Sequence, residues 1–178
     1  MDRPVRKPNR LNNYDYSSNG LYFITICTKN RATYLSDIVE IPDLVGNAAL
    51  GVPRVKLTEY GEIVDENIKK INEIYRYVSV SKYVIMPDHI HMILFVSDYG
   101  EKPVSDGTPR AAFTTRSIPQ IINGLKSIST KQIGFSIWQK SFHDHIIRSE
   151  NEFAEIWQYI ENNPINWAND KFNQNLWR

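Results

Sequence analysis

The feature that most constrains the fold is a pair of strand-like runs at residues 77–96, YVSVSKYVIMPDHIHMILFV. Both runs are rich in β-branched and aromatic residues, which favour strands. Pro87 and Asp88 separate the runs, and these residue types suit a tight turn. The segment therefore predicts an antiparallel hairpin. Side chains alternate along a strand, and one face of the second strand collects the apolar Ile90, Met92, Leu94 and Val96.

Further elements lie on both sides of this hairpin. LYFITICT at 21–28 is typical of a strand, and SFHDHIIRS at 141–149 indicates a strand of mixed polarity. Two amphipathic helices are predicted from apolar residues at three- and four-residue spacing. The first follows Thr58, a suitable cap, and its stripe is Ile63, Asn67, Ile68, Ile71, Ile74 and Tyr75. The second carries Ile118, Ile121, Ile122, Leu125, Ile128 and Ile133.

A last helix is predicted to begin near Ser149 and to stop before Asn163-Pro164. Ser149 and Glu152 have the spacing of a capping box. The apolar stripe of this helix is Phe153, Ile156, Trp157 and Ile160. The full order is β-α-β-β-α-β followed by a helix. This order predicts an α+β fold: a ferredoxin-like antiparallel sheet with its helices on one face, and an additional C-terminal helix that carries Tyr159.

The length of 178 residues fits a single domain spanning 1–178. Two segments, 36–57 and 97–116, are rich in Gly and Pro or in Ser and Asp, and we expect irregular or flexible loops there. The longest apolar run, Met92–Val96, is far too short to cross a membrane. A lone cysteine, Cys27, excludes a disulfide within the chain and favours a cytoplasmic setting.

The net charge of +1 hides a segregation of charge along the chain. Residues 1–31 hold six Lys and Arg against two acids, and residues 110–148 hold six against one. These two basic segments would suit a polyanion such as nucleic acid. An ordinary solvated surface explains them about equally well.

All four histidines fall in two His-x-His pairs, His89/His91 and His143/His145. Residues i and i+2 of a strand project from the same face, so each pair can bring two imidazoles to one ion. Two imidazoles leave open positions for a third ligand, water or substrate. Histidines that are hydrogen-bonded at a sheet surface are the alternative. For His143/His145, a surface strand or an edge that contacts phosphate explains the pattern as well.

On the last helix, Tyr159 and Asn163 lie together along one flank at a spacing of four residues. A phenol becomes a useful nucleophile only when it is placed against a polarised electrophile. The amide oxygen of Asn163 offers a further ligand for a cation. The alternative is a boundary tyrosine with an asparagine that ends the helix before Pro164.

Three blocks of the sequence resemble the single-tyrosine HUH transposases, most closely the REP-associated tyrosine transposases. The blocks are RLNNYDYSSNGLYFITICTKNR, YVIMPDHIHMILFV and IWQKSFHDHIIRSENEFAEIWQYIENNPINWAND. The resemblance implies that His89, His91 and Asn163 bind Mg²⁺ or Mn²⁺ and that Tyr159 is the nucleophile. Ligand chemistry alone would also admit Zn²⁺. The family commonly has Asn where Asp88 stands; an acid here would either repel phosphate or orient a ligand.

The same resemblance implies an enzyme that nicks single-stranded or hairpin DNA, forms a 5′-phosphotyrosine link and transfers strands, acting as a monomer or as a homodimer. We expect its DNA-binding residues among the basic side chains, namely Arg3, Arg6, Lys7, Arg10, Lys126, Lys131, Lys140 and Arg148. Two alternatives stay open. One is a DNA-hairpin-binding protein that does not cleave, and the other is a His-metal hydrolase of small phosphoesters in which Tyr159 only packs.

Overall fold

The architecture is given by a computed structural model that describes residues 18–41, 52–75, 77–97 and 117–167. A short 3-10 turn at Lys29–Arg31 follows the first strand. In chain order the strands and helices are β1 (Gly20–Cys27), β2 (Ser36–Ile41), β3 (Val52–Leu57), α1 (Glu59–Ile74), β4 (Val78–Ile85), β5 (His89–Val96), α2 (Ile118–Ile133), β6 (His143–Ile147) and α3 (Glu150–Asn162).

Four of these strands form an antiparallel sheet in the order β4-β5-β1-β6. The predicted hairpin is present, with Ile85 opposite Ile90 and the turn between them. The amide of Met86 closes this turn by donating to the carbonyl of His89 at 2.8 Å. β1 pairs with β5 on one side and with β6 on the other. This order confirms the predicted ferredoxin-like α+β fold.

The main core lies between one face of this sheet and helices α1 and α2. The apolar face predicted for β5 is buried here, together with β1 residues such as Tyr22 and Ile24. Thr58 caps α1 by accepting from the amide of Gly61 at 3.1 Å. Two residues of the predicted apolar stripes are not buried: Ile74 is 60% exposed and Ile128 is 45% exposed. The stripe of α1 is therefore buried only as far as its last turn.

Helix α3 covers the opposite face of the sheet. A second cluster there joins the sheet to the helix, and its buried members are Phe23, Ile93, Ile147, Ile156 and Ile160. The helix starts and stops where the sequence predicts, with the Ser149 hydroxyl accepting from the amide of Glu152 at 3.2 Å. The other half of the predicted capping box is absent, since the Glu152 carboxylate accepts from the amide of Arg148 at 2.6 Å rather than from that of Ser149. Its second oxygen lies 2.6 Å from Nε2 of His145.

The expectation of an irregular connection over 36–57 was wrong at both ends of that segment. β2 and β3 pair antiparallel from Ser36 opposite Leu57 to Ile41 opposite Val52. Backbone hydrogen bonds between two short strands do not require a strong apolar period, which explains why the pattern gave no signal. Residues 42–51 lie outside the described part of the chain, as do residues 98–116 of the second predicted loop. No described helix combines the length and apolar character needed to traverse a bilayer.

Candidate active site

Two imidazoles lie side by side at the start of β5, on the sheet face that α3 covers. His89 is 1% exposed and His91 is 5% exposed. Their ring centroids are 4.5 Å apart. The alternation of β5 thus places both predicted histidines on one side and Ile90 with the core on the other.

His91 is held by a neighbour at each ring nitrogen. Thr25 lies directly opposite on β1 and its hydroxyl is 2.9 Å from Nδ1. The hydroxyl of Tyr159 is 3.2 Å from Nε2. Burial is the main cause that lowers the pKa of His91 well below its usual value, and the charges of His89 and Arg31 add to the effect. A neutral imidazole has one donor and one acceptor nitrogen, so the two hydroxyls complete its hydrogen bonding.

Tyr159 reaches this position from α3, across the second core cluster. Its ring is edge-on to Phe23 at 6.1 Å and to His91 at 5.1 Å. Asn163 follows one turn later as the C-cap of the helix and is 2% exposed. Its side-chain oxygen Oδ1 is buried and has no hydrogen-bond partner among the described residues. A buried amide oxygen of this kind is costly unless something binds it.

A buried acid contacts one of the two imidazoles. Asp88 is 3% exposed, and its Oδ1 is 2.7 Å from Nδ1 of His89. Its Oδ2 lies 3.1 Å from Nε of Arg31. Arg31 also donates from Nη1 to the sulfur of Cys27 at 3.0 Å. The sequence indicated Asp88 only as a departure, and it indicated neither Arg31 nor Thr25 as part of a site.

Two imidazoles and one amide oxygen are donor types that suit a divalent cation, and an ion at Nε2 of His91 would take the place of the Tyr159 hydroxyl there. The fit rests on the open Oδ1 of Asn163 and on the hydrogen bonds that orient both rings. Among the described residues no group of three or more His, Cys, Asp or Glu side chains converges. An ion here would therefore depend on Asn163 as its third protein ligand.

A further aromatic side chain completes the surroundings of His89. The indole of Trp167 stacks on the imidazole with centroids 5.9 Å apart and planes 23° from parallel. No sequence pattern indicates this contact, because a tryptophan four residues after Asn163 is equally compatible with simple packing.

The predicted DNA-binding residues divide into three groups. Arg3, Arg6, Lys7 and Arg10 lie outside the described residues. Lys131, Lys140 and Arg148 are exposed. Lys126 is 8% exposed, and its ammonium donates to the carbonyls of Gln139 at 3.0 Å and Ser141 at 2.7 Å. The ammonium of Lys126 thus binds the backbone of its own chain rather than facing solvent.

The second His-x-His pair lies on the edge strand β6 and is more exposed than the first. His143 is opposite Thr25 in the sheet. His145 approaches Glu152 with Nε2 and Oε1 2.6 Å apart. A surface strand with a hydrogen bond to α3 accounts for His145, and His143 is solvent-exposed.

The fold and the site define a class: a ferredoxin-like domain whose central strand carries a His-x-His pair within contact of a tyrosine from a C-terminal helix. No family model matches the sequence. A Haemophilus influenzae protein described as uncharacterized is 29% identical over 177 residues, covering 93% of this chain and 92% of the relative.

A second Haemophilus influenzae relative, described as "putative REP-associated tyrosine transposase", is 25% identical over 157 residues, with 87% of this chain and 77% of the relative covered. A REP-associated tyrosine transposase solved in complex with a REP hairpin has the same fold. It superimposes with a TM-score of 0.58 at 19% identity, over 89% of this chain and 74% of that chain. These comparisons confirm the resemblance to REP-associated tyrosine transposases and support a transposase-like function.

Proposed function

We propose that this protein is a transposase-like enzyme that nicks and rejoins single-stranded or hairpin DNA with Tyr159 as its nucleophile. The observation that carries the proposal is the 3.2 Å approach of the Tyr159 hydroxyl to Nε2 of His91 within one chain. The fold alone would leave the tyrosine's role open, since a ferredoxin-like sheet serves many functions. The phenol of Tyr159 therefore lies beside the proposed cation site.

In the forward step the phenol oxygen of Tyr159 attacks the scissile phosphorus. A bond from phosphorus to tyrosine forms, and the bond to the 3′ oxygen breaks on the opposite side. The phenolic proton is lost to solvent and the leaving oxygen takes one up. The products are a 5′-phosphotyrosine link and a free 3′-OH. Since the covalent link conserves the phosphodiester energy, a second 3′-OH can attack it, release Tyr159 and join strands without ATP.

A divalent cation, which we propose to be Mg²⁺ or Mn²⁺ held by His89, His91 and Asn163, would supply positive charge that polarises a phosphate oxygen. The protein itself positions the metal-binding rings and the nucleophile. Thr25 and Asp88 orient the two rings, and the second core cluster fixes α3 so that Tyr159 stays on this face. Holding the nucleophile near its target lowers the entropic part of the barrier.

A surface near the start of α3 suits an unpaired nucleotide. A cavity of about 340 Å³ there is lined by Phe95, Phe153 and Arg148, together with Glu150 and small or apolar residues of β1 and β6. Phe95 is 41% exposed. Aromatic rings stack on bases and arginine binds phosphate, so this combination is typical of surfaces that bind single strands. Lys131 and Lys140 are retained as further candidate contacts to the DNA backbone.

The proposal is tested with labelled hairpin oligonucleotides taken from the DNA that flanks the gene, incubated with the protein in Mg²⁺ or Mn²⁺. A denaturing gel should show a covalent adduct for the wild type and none for Tyr159→Phe. Tyr60→Phe is the matched control, since Tyr60 lies on α1 away from the site, and it should form the adduct normally. An adduct formed by Tyr159→Phe would refute the assignment of Tyr159 as the nucleophile. Hairpin binding without any cleavage in Mn²⁺ would instead favour a binding protein.

A further inference from the structure

The carboxylate of Asp88 is buried between two partners of different chemistry. One oxygen contacts the His89 ring and the other contacts the Arg31 guanidinium, at 2.7 Å and 3.1 Å. The side chains of Asp88 and His89 are 4% and 1% exposed. Such a contact is stronger than a surface ion pair because little water competes with it.

The hydrogen-bonding chemistry of Asp88 and Arg31 determines which ring nitrogen of His89 carries the hydrogen. A guanidinium can only donate hydrogen bonds, and both oxygens of the aspartate carboxylate that it contacts act as acceptors. Nδ1 of His89 must therefore carry the hydrogen, and in the neutral ring Nε2 then carries the lone pair. An asparagine at position 88 would not impose this choice, because an amide can either donate or accept.

Arg31 provides the compensating charge and is itself held in place. The residue has a left-handed backbone conformation, with φ of 55°, at the end of the turn after β1. That conformation is unfavourable for a long side chain. The two donor contacts, to Asp88 and to the sulfur of Cys27, help to offset it. Without Arg31 a buried negative charge would stand beside the site where a phosphate is proposed to bind.

We propose that Asp88 and Arg31 are a positioning pair: Asp88 fixes His89 in the Nδ1–H form with Nε2 available to a divalent cation, and Arg31 offsets the charge so that DNA phosphate is not repelled. Two parts of this inference rest on the proposed function: that a divalent cation binds at Nε2, and that Arg31 prevents the repulsion of DNA phosphate. The form of the His89 ring is a property of the protein alone.

The first test reads that ring directly. Two-bond ¹H–¹⁵N correlation spectra of the metal-free full chain distinguish protonated from unprotonated ring nitrogens. Wild-type His89 should have Nδ1 protonated and Nε2 unprotonated. Asp88→Ala should give a mixture of both forms, and Asp65→Asn, which alters a carboxylate on α1, should match the wild type. A wild-type His89 protonated at Nε2 alone would overturn the proposal.

The second test measures Mn²⁺ binding by calorimetry. Loss of a partner that orients a metal ligand typically costs about 10- to 100-fold in metal affinity. We expect that loss for Asp88→Ala, a smaller loss for Asp88→Asn, and none for Asp65→Asn. Equal affinity in the wild type and Asp88→Ala, with binding abolished in His89→Ala, would overturn the positioning role but keep the metal site. Absence of Mn²⁺ binding by the wild type would overturn the metal site. The spectra would still test whether Asp88 determines which ring nitrogen of His89 carries the hydrogen.

The role of Arg31 is tested by a double-mutant cycle with Asp88, in which affinity for the hairpin oligonucleotide is measured. Arg31→Gln should weaken binding to the hairpin oligonucleotide, because Asp88 is then uncompensated. Adding Asp88→Asn in the same chain should recover most of that loss, since the buried charge is removed. A double variant that binds no better than Arg31→Gln would show that Arg31 acts independently of Asp88 and would overturn the pairing.

Discussion

Lys126 shows how burial changes the chemistry of one residue. Its ammonium lies under the loop between α2 and β6, where it donates to the carbonyls of Gln139 and Ser141. Desolvation is the main cause that lowers the pKa of Lys126 to about 8 from its usual 10.5. The folded state therefore releases this proton at a lower pH than the unfolded chain does.

The sign of the resulting pH dependence follows from proton counting. Between about pH 8 and 10.5 the unfolded chain binds more protons at Lys126 than the folded state, so stability rises with pH across this window. Relative to Lys126→Met, the wild type should gain up to about 3 kcal/mol in the free energy of unfolding. Urea unfolding of both proteins at several pH values measures this difference. A difference that stays flat or falls would show that the two carbonyls keep the ammonium charged.

Some residues at the site could be predicted from the sequence and others could not. Strand alternation predicted that His89 and His91 share a face, and helical spacing predicted that Tyr159 shares a flank with Asn163. Only the family resemblance implied that Tyr159 meets the histidines. Lys126 was predicted to bind DNA, although its position four residues after Ile122 on the buried stripe of α2 was a signal that it could face inward. Thr25 could not be found, because its contact depends on the register between β1 and β5, which no local pattern specifies.

Helix α1 approaches the backbone after β1 so closely that only glycine fits at position 61. The carbonyl of Leu35 accepts from the amide of Thr58 at 3.0 Å, which draws the first turn of α1 against it. A Cβ on Gly61 would overlap this carbonyl oxygen and lie 3.0 Å from the Leu35 carbonyl carbon. Since the obstacle is backbone, it cannot move aside as a flexible side chain can.

Gly61→Ala should therefore lower the free energy of unfolding by about 2 kcal/mol or more, as in overpacked cores. Alanine is intrinsically better than glycine in a helix by about 1 kcal/mol, so the clash must exceed that gain. Gly124→Ala on α2 is the matched control. Its Cβ would meet the Tyr75 hydroxyl at 3.2 Å, and that side-chain end can move. We expect Gly124→Ala to be neutral or slightly stabilising in thermal unfolding. Equal losses for both variants would contradict this account.

The limits of sequence patterns are clear for the smaller elements. α1 and α2 were predictable because each repeats an apolar stripe over four turns and begins at a capping residue, Thr58 or Ser117. β2 and β3 were not, since they pair mainly with each other and only their ends, such as Leu57, pack against the core. The 3-10 turn that places Arg31 depends on two positive-φ residues, and neither is a glycine.

At the scale of the whole molecule, the sheet divides the chain's tasks between its two faces. The face under α1 and α2 holds the larger, mainly apolar core. The face under α3 combines a smaller apolar cluster with the histidines at one end. Because the two faces share strands, the alternation of β5 links core packing directly to the orientation of His89 and His91. A one-residue slip of β5 would exchange them for Ile90 and Met92.

The tyrosine helix is anchored to the sheet of its own chain, and this predicts catalysis within one subunit. Ile156 and Ile160 are buried against Phe23 and Ile93, and Tyr159 on the same helix reaches His91 of the same chain. A mixture of Tyr159→Phe and His91→Ala proteins should therefore form no adduct on labelled hairpin DNA, even after long co-incubation, whereas wild type diluted into either variant keeps its activity. Adduct in the mixture would mean that α3 leaves its own sheet and completes a partner's site. Since that exchange must expose the buried faces of Ile156 and Ile160, it should then depend on protein concentration, which a dilution series measures.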